Sequence, residues 1–325
     1  MIRHKLLLFK LIQYIREFFT SQNFLDVLPP IAVDNPGYEP HIHPYQLYST
    51  LKQEVTNQYL HTSPEFYMKE LLSEGAKKIF TINYCFRDEP SSPIHRNQFL
   101  MLEWYRASED YQEIMLDLEK LFAYCSTRLL EDNLIKEQQN TKFIKKSVDE
   151  CFQEYCHYSI LDYLEPSKLR SKIKEAHPEI SLPPADQCAW DDYFFLIFLN
   201  IIEPKLALKD GVILYEYPAP LSALSELSKE DPRVCKRFEI YFKGIEIANC
   251  FQELTDLREQ KSRFFIDSEK KKKLYNYQLK APEVLFNALE KGIPQSAGIA
   301  LGVERFLLAL TQEKEIFYTK ELNTL

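Results

Sequence analysis

Phe86-Arg87-Asp88-Glu89, followed after a polar loop by Phe99-Leu100-Met101-Leu102-Glu103-Trp104-Tyr105, is the stretch on which the fold of this chain turns. Apolar and aromatic residues flank a short break carrying Pro90 and Pro93, the pattern of two strands joined by a loop. The strands are expected at about 79–89 and 98–106. Side chains alternate along a strand, so Arg87 and Glu89 would share one face, as would Met101, Glu103 and Tyr105. If those faces meet one cleft, Arg87 can hold a phosphate while Glu103 and Tyr105 meet a cationic group. Far downstream, Gly298-Ile299-Ala300-Leu301-Gly302-Val303-Glu304-Arg305 reads as a strand leading into a helix. Gly302 would let backbone approach a ligand, and Arg305 would sit in the first helical turn, facing phosphates. Arginine presents a fixed fork of donors and stays charged, so each segment offers what nucleotide phosphates need.

Between these segments, Arg237-Phe238-Glu239-Ile240-Tyr241-Phe242-Lys243-Gly244-Ile245-Glu246-Ile247-Ala248-Asn249 reads as a hairpin turning at Lys243-Gly244. Phe242 then pairs with Ile245, and Glu239 with Ala248. Glu239 and Glu246 fall diagonally on one face, about 7–8 Å apart between Cα atoms. Carboxylates so placed repel unless a cation lies between them, and Mg²⁺ bridging nucleotide phosphates suits that position. In an unbroken strand Asn249, Phe251 and Glu253 would face away from Glu246. For all of them to serve one pocket, a bulge or sharp twist is required between Glu246 and Asn249. No residue there announces one. Glu65, Glu103 and Glu253 would make the pocket acidic, which suits a substrate with two amino groups such as lysine or a lysine isomer.

The remaining elements follow from periodicity. Residues 5–19 carry Leu8, Leu11, Ile12, Ile15, Phe18 and Phe19 at helical spacing. A strand over Phe24-Leu25-Asp26-Val27-Leu28 should stop at Pro29-Pro30. Thr62-Ser63-Pro64-Glu65 predicts a helix start, with a hydroxyl cap and proline at the first position, and that helix should end near Gly75. A long helix is expected at about 109–137, with Ile114, Met115, Leu118, Leu121, Phe122, Cys125 and Leu129 on one side. Residues 138–188 read as a polar, partly helical insertion into a single catalytic domain spanning 1–325. A strand at 212–217 and a final helix from about Val303 complete the pattern. Lys270-Lys271-Lys272-Lys273 reads as a solvated helix face, with a docking patch for an acidic partner as the alternative.

Composition narrows the function classes. The 325 residues are 45% hydrophobic and 14% aromatic, enough for a full core. A formal net charge of −8 argues against extensive nucleic-acid binding, which depends on many cations displacing counterions from phosphates. Seven cysteines with no C-x-x-C spacing read as reduced thiols of a cytoplasmic protein. The longest apolar stretch, Tyr193 to Ile202, is too short to span a bilayer.

These residues resemble the catalytic domain of a class II aminoacyl-tRNA synthetase. Leu25-Asp26-Val27-Leu28-Pro29-Pro30 is similar to the dimer-forming motif 1, with Pro30 as its proline; Phe86 to Glu89 with Phe99 to Tyr105 is similar to motif 2; Gly298 to Arg305 is similar to motif 3. Thr62-Ser63-Pro64-Glu65, Tyr67-Met68-Lys69 and the stretch Gly244 to Asp256 narrow the resemblance to the lysyl branch. Within it the chain resembles the elongation factor P–(R)-β-lysine ligase family. Only about thirty residues precede the motif 1 proline, so no anticodon-binding OB domain is expected. Ala300 also stands where tRNA-charging lysyl enzymes usually have glycine, and a methyl there discriminates by roughly 1–3 kcal/mol.

The resemblance implies an α+β fold, a mixed but mostly antiparallel sheet flanked by helices. It implies ATP contacts from Arg87, Asp88, Glu89, His95, Arg96, Glu246, Ile247, Gly302 and Arg305, with Arg87 and Arg305 catalytic. It implies Mg²⁺ on Glu239 and Glu246. Ser63, Pro64, Glu65, Glu103, Tyr105, Asn249, Phe251, Glu253 and Ala300 would bind lysine or β-lysine. Elongation factor P as protein substrate and a homodimer through the motif around Pro30 also follow. The motif 2 loop departs from the family's His-Asn-Pro-Glu-Phe, reading His95-Arg96-Asn97-Gln98-Phe99, and Glu304 replaces the usual motif 3 aspartate. Charging of tRNA by a minimal lysyl enzyme, or a non-catalytic amino-acid-binding paralogue, are the alternatives.

Overall fold

The computed structural model describes residues 3–139, 142–313 and 316–317, and the chain divides into two compact units, Met1–Gln139 with Glu253–Leu325, and Asn140–Gln252. Of the insertion expected at 138–188, residues 140 and 141 lie outside the described residues.

The first unit opens with α1 (Arg3–Ser21), which buries Leu8, Leu11, Ile15, Phe18 and Phe19. Leu7 and Tyr14 widen that stripe, while Ile12 is half-buried. Phe19 stacks on Phe80 at 4.9 Å and meets Trp104 at 5.1 Å, fastening the helix to the sheet. Next come β1 (Leu25–Asp26), β2 (Ala32–Val33), β3 (Gln46–Ser49) and β4 (Glu54–Leu60). β1 is shorter than the expected strand at 24–28: it has one parallel partner, and Pro29 and Pro30 cannot donate to a ladder. β2, β4 and β3 form a small sheet of their own.

α2 (Glu65–Ser73) follows, then β5 (Lys78–Phe86), β6 (Gln98–Ala107) and α3 (Tyr111–Glu131). α2 ends two residues before Gly75, whose φ of 99° suits glycine. Its start departs from expectation. Pro64 occupies the cap position, Thr62 Oγ1 donates to Pro36 O, and Ser63 Oγ accepts from the Glu65 N–H. β5 stops at Phe86 instead of 89, because the Asp88 N–H is captured by His43 O at 2.7 Å. Arg87, Asp88 and Glu89 therefore lie in the loop, and the expected strand alternation does not govern them. α3 is capped by Asp110 and is shorter than expected at both ends, yet it buries the expected face through Leu129. A buried, two-pronged ion pair from Arg106 to Asp117, at 2.5 and 2.7 Å, ties β6 to α3.

The second unit contains β7 (Ile144–Ser147), α4 (Val148–Cys156), α5 (Pro166–Ala176), α6 (Trp190–Ile197), α7 (Glu203–Leu206), β8 (Gly211–Pro218), β9 (Val234–Phe242) and β10 (Ile245–Gln252). Its strands lie in the order β7-β8-β9-β10, parallel between β7 and β8 and antiparallel elsewhere. Phe152, Trp190 and Phe198 each stack on Phe194 at 5.4–5.6 Å, forming an aromatic core beside Val212 and Leu214.

The chain then returns to the first unit through α8 (Leu257–Tyr275), α9 (Glu283–Lys291), β11 (Ser296–Gly302) and α10 (Val303–Thr311). β11 completes the order β1-β5-β6-β11 and runs antiparallel to β6. Lys271 corrects the reading of the lysine run. It is 2% exposed and donates to Glu39 O at 2.9 Å and Ile42 O at 2.6 Å, so it clamps a loop against α8.

Candidate active site

In the first unit the β6–β11 register assembles one floor. Tyr105 stands opposite Gly298, Glu103 opposite Ala300, and Met101 opposite Gly302. Gly298 is the glycine that the packing requires: a Cβ there would lie 2.1 Å from the Tyr105 ring and 2.7 Å from Glu253 Oε1. At Gly302, assigned by sequence to close approach, the nearest atoms to a Cβ would be those of the Arg305 side chain at 3.7–3.8 Å.

Glu103 is 1% exposed and accepts from Ser63 Oγ at 2.5 Å and from Tyr105 OH at 3.0 Å. Burial, helped by Glu65, pushes its pKa up to about 8. Glu65 and Glu253 share a cation that sequence reasoning left without a role. Lys69 Nζ lies 2.5 Å from Glu65 and 2.7 Å from Glu253. Burial raises both carboxyl pKa values, Glu253 to about 7, while Lys69 opposes the rise. The i, i+4 spacing on α2 was the available signal for the Glu65–Lys69 pair. Pro64 sets the start of that helix.

The residues of this unit expected to meet phosphates gather around the loop between β5 and β6. Arg87 stacks over the Phe99 ring at 5.3 Å, and its Nε is buried with no hydrogen-bond partner among the described residues. Arg305 donates to Nε2 of His95, and Arg305 Nε reaches Ile94 O at 3.4 Å. Burial and the adjacent Arg305 lower the His95 pKa, which keeps the imidazole neutral and able to accept. Arg96 donates to Ser92 O and His95 O, bracing the loop, and stacks over Phe317 at 4.7 Å. Asn97 Nδ2 bonds Arg87 O and Glu89 O, holding those residues in a tight bend, and Asp88 is exposed. Glu304 joins α10 to β6, because both its oxygens accept from the Leu100 N–H, at 3.0 and 3.1 Å.

In the second unit β9 and β10 turn at Lys243-Gly244, both at positive φ, and Phe242 pairs with Ile245 as expected. The register then slips between Glu246 and Ala248, so Glu239 faces Asn249 instead of Ala248. Ile247 is the extra, buried residue, and this is the bulge that the parity argument required. It brings Glu246, Asn249 and Phe251 to the face of Glu239. The cation beside Glu239 is built in. Arg237 pairs with Glu239 Oε1, bonds Asn249 Oδ1 at 3.1 Å and lies 5.5 Å from the Phe251 ring. Tyr217 and Tyr241 hydroxyls both donate to Glu239 Oε2 at 2.6 Å. That oxygen has both lone pairs engaged, so Oε1 is the one that can meet a metal. Among the described residues no three His, Cys, Asp or Glu side chains gather as a metal site.

Mostly antiparallel strands flanked by helices make this an α+β fold, as expected. The family model for class II tRNA synthetases of the D, K and N type matches residues 3–320. The chain is 34% identical over 301 residues to the elongation factor P–(R)-β-lysine ligase of Pasteurella multocida, covering 92% of this chain and 88% of that protein. It is 32% identical over 308 residues to the ligase of the same name from Proteus mirabilis, covering 94% and 90%. The chain belongs to the class II synthetase family and, within it, to the elongation factor P–(R)-β-lysine ligase group. It is accordingly an ATP-dependent amino-acid ligase.

Proposed function

We propose that the protein joins a lysine isomer, (R)-β-lysine foremost, to the ε-amine of a lysine on elongation factor P, in the cytoplasm. The observation carrying this reading is the seat around Glu103, a buried carboxylate bonded by the neutral Ser63 and Tyr105, beside Glu65 and Glu253. Such a seat suits an ammonium group. The names of the relatives support the choice of acceptor. No helix among the described residues is long and apolar enough to cross a membrane, in keeping with a soluble substrate.

In the first step a carboxylate oxygen of the amino acid attacks the α-phosphorus of ATP. The bond from that phosphorus to the bridging oxygen breaks, and pyrophosphate leaves with the electron pair. Arg87 and Arg305 are assigned to the charge developing on phosphoryl oxygens, with Asp88, Glu89, His95, Arg96, Ile247 and Gly302 lining the nucleotide. Asn249 and Phe251 are assigned to the amino acid, with Phe251 packing on its aliphatic chain. Mg²⁺ would be held by Glu246 and Oε1 of Glu239, and would supply neutralisation of the departing pyrophosphate. In the second step the neutral amine of the acceptor attacks the carbonyl of the adenylate, AMP leaves, and the nitrogen releases a proton. Positioning and charge do the catalysis, with no covalent enzyme nucleophile.

The homodimer is assigned to the surface around Pro30, where Leu25 is 62% and Leu28 85% exposed. The test of function is mass spectrometry of elongation factor P after incubation with ATP and each lysine isomer. A mass gain of one β-lysyl group on one lysine is expected. Charging of tRNA without modification of the protein would instead favour the minimal synthetase.

A further inference from the structure

A lysine ammonium loses its hydration in a protein interior, so a fully buried lysine needs a reason to be there. Lys69 is 1% exposed. Its Nζ is held between Glu65 Oε1 at 2.5 Å and Glu253 Oε2 at 2.7 Å. Burial works to lower its pKa, and the two carboxylates more than reverse this, so the group stays charged. Glu65 comes from the first turn of α2, whereas Glu253 lies beyond β10, with its N–H donated to Ser296 O at the start of β11. One ammonium thus joins two acids from distant parts of the sequence. The third acid, Glu103, is bonded by the neutral Ser63 and Tyr105.

The charge balance has a consequence for selectivity. With all three acids ionised, as when an ammonium is bound, their charge exceeds that of the internal ammonium by two, the complement of a molecule with two ammonium groups. Without Lys69, Glu65 and Glu253 would face each other in a dry site with no counter-charge between them, and both would hold their protons more tightly. A neutral carboxylic acid holds an ammonium poorly.

We infer that Lys69 is a positioning residue that holds the carboxyl groups of Glu65 and Glu253 against one internal ammonium and so makes the pocket select a diamine over a monoamine of the same shape. The inference rests on the lysine-activating reading above. Its test is calorimetric binding of β-lysine and of 3-aminohexanoic acid, the same chain without the distal amine, to the full-length wild-type protein and to Lys69→Met. Wild type should prefer the diamine by on the order of a hundredfold or more, and Lys69→Met should reduce that preference to under about tenfold with ATP affinity unchanged within about twofold. A variant that binds both compounds more weakly at an unchanged ratio has suffered a packing defect, and the inference is overturned. Should Lys69→Met not fold, Lys69→Arg decides: it keeps the charge and should retain the preference within about threefold, and a folded Lys69→Arg protein that loses it also overturns the inference. Wild type that binds neither ATP nor any lysine isomer removes the functional reading itself, and the inference with it.

Discussion

Asn249 stands directly across the β9–β10 ladder from Glu239, and Arg237 bonds to both. A residue assigned to the amino acid and one assigned to Mg²⁺ are therefore held by a single guanidinium. Arg237 also donates to Leu221 O at 2.8 Å and lies 4.6 Å from the Tyr217 ring, so its position is fixed on several sides. Lysine at 237 would keep the charge but lose the planar fork. Arg237→Lys is expected to lower kcat/KM for the amino acid by about 10–100-fold, the usual cost of losing a supporting contact behind a ligand. Arg237→Met should also lower stability by roughly 3–5 kcal/mol, because Glu239 would be left buried without its counter-charge. Pyrophosphate exchange and denaturant melts measure the two effects; an Arg237→Lys protein with wild-type kinetics would refute the supporting role.

The two glycines of the β11 segment should respond differently to a methyl group. Gly298→Ala pushes a Cβ into the Tyr105 ring and against Glu253, both of which belong to the proposed amino-acid seat. Overpacking of this kind costs about 1–3 kcal/mol and displaces the side chains it meets. The amino-acid KM should rise by roughly 5- to 150-fold, the same free energy. At Gly302 the nearest atoms to a new Cβ, those of the Arg305 side chain, lie at ordinary contact distance and φ is −73°, so Gly302→Ala should retain the fold within about 0.5 kcal/mol. Steady-state kinetics with thermal melts on both variants decide the matter, and equal damage at the two positions would contradict it.

Much of this architecture was legible in the sequence where one local period dominates. The α1 stripe, the buried face of α3, the β5–β6 pair and the Lys243-Gly244 turn all follow from spacing and turn chemistry. What escaped depends on partners remote in sequence. β5 stops at Phe86 because His43 captures the Asp88 amide, a contact no local pattern encodes. The bulge at Ile247 could be required by parity but not located, since Ile247 is as good a strand residue as its neighbours. Lys69 was seen as part of a motif, yet its second partner, Glu253, lies far along the chain. Lys271 looked like one of four solvated lysines, and only the loop at 39–42 makes it a buried donor.

The dimer assignment makes a separate prediction. Leu28 is the most exposed large apolar residue of the stretch around Pro30 and contributes little to the fold of the free chain. Leu28→Glu should therefore leave the melting temperature of the isolated subunit unchanged. A charge buried at a subunit contact with no partner is strongly unfavourable, so the variant should sediment as a monomer. Analytical ultracentrifugation of wild type and variant tests this, and a wild-type protein that is monomeric at micromolar concentration would rule the dimer out.

Three buried acids give the protein a characteristic pH dependence. Burial pushes Glu103 up to about 8 and Glu253 and Glu304 up to about 7, whereas each ionises near 4.5 when solvated. Between those values the folded chain binds more protons than the unfolded chain, so stability falls as pH rises from about 4.5 towards 7–8. Glu304→Gln stays uncharged at every pH, and its melting temperature should vary less across pH 5–7 than that of wild type. Binding runs the opposite way. An ammonium group needs Glu103 ionised, so the amino-acid KM should fall as pH rises from 6 to 8 while the ATP KM changes little. At pH 7 the amino acid would displace a proton from Glu103, and calorimetry in buffers of different ionisation enthalpy should register a net release. Glu103→Gln should flatten the pH trend towards the part owed to Glu253 and weaken amino-acid binding by about 1.5–3 kcal/mol, the worth of a hydrogen bond to a charged group. A Glu103→Gln protein that keeps the wild-type pH profile would show that another group governs the seat.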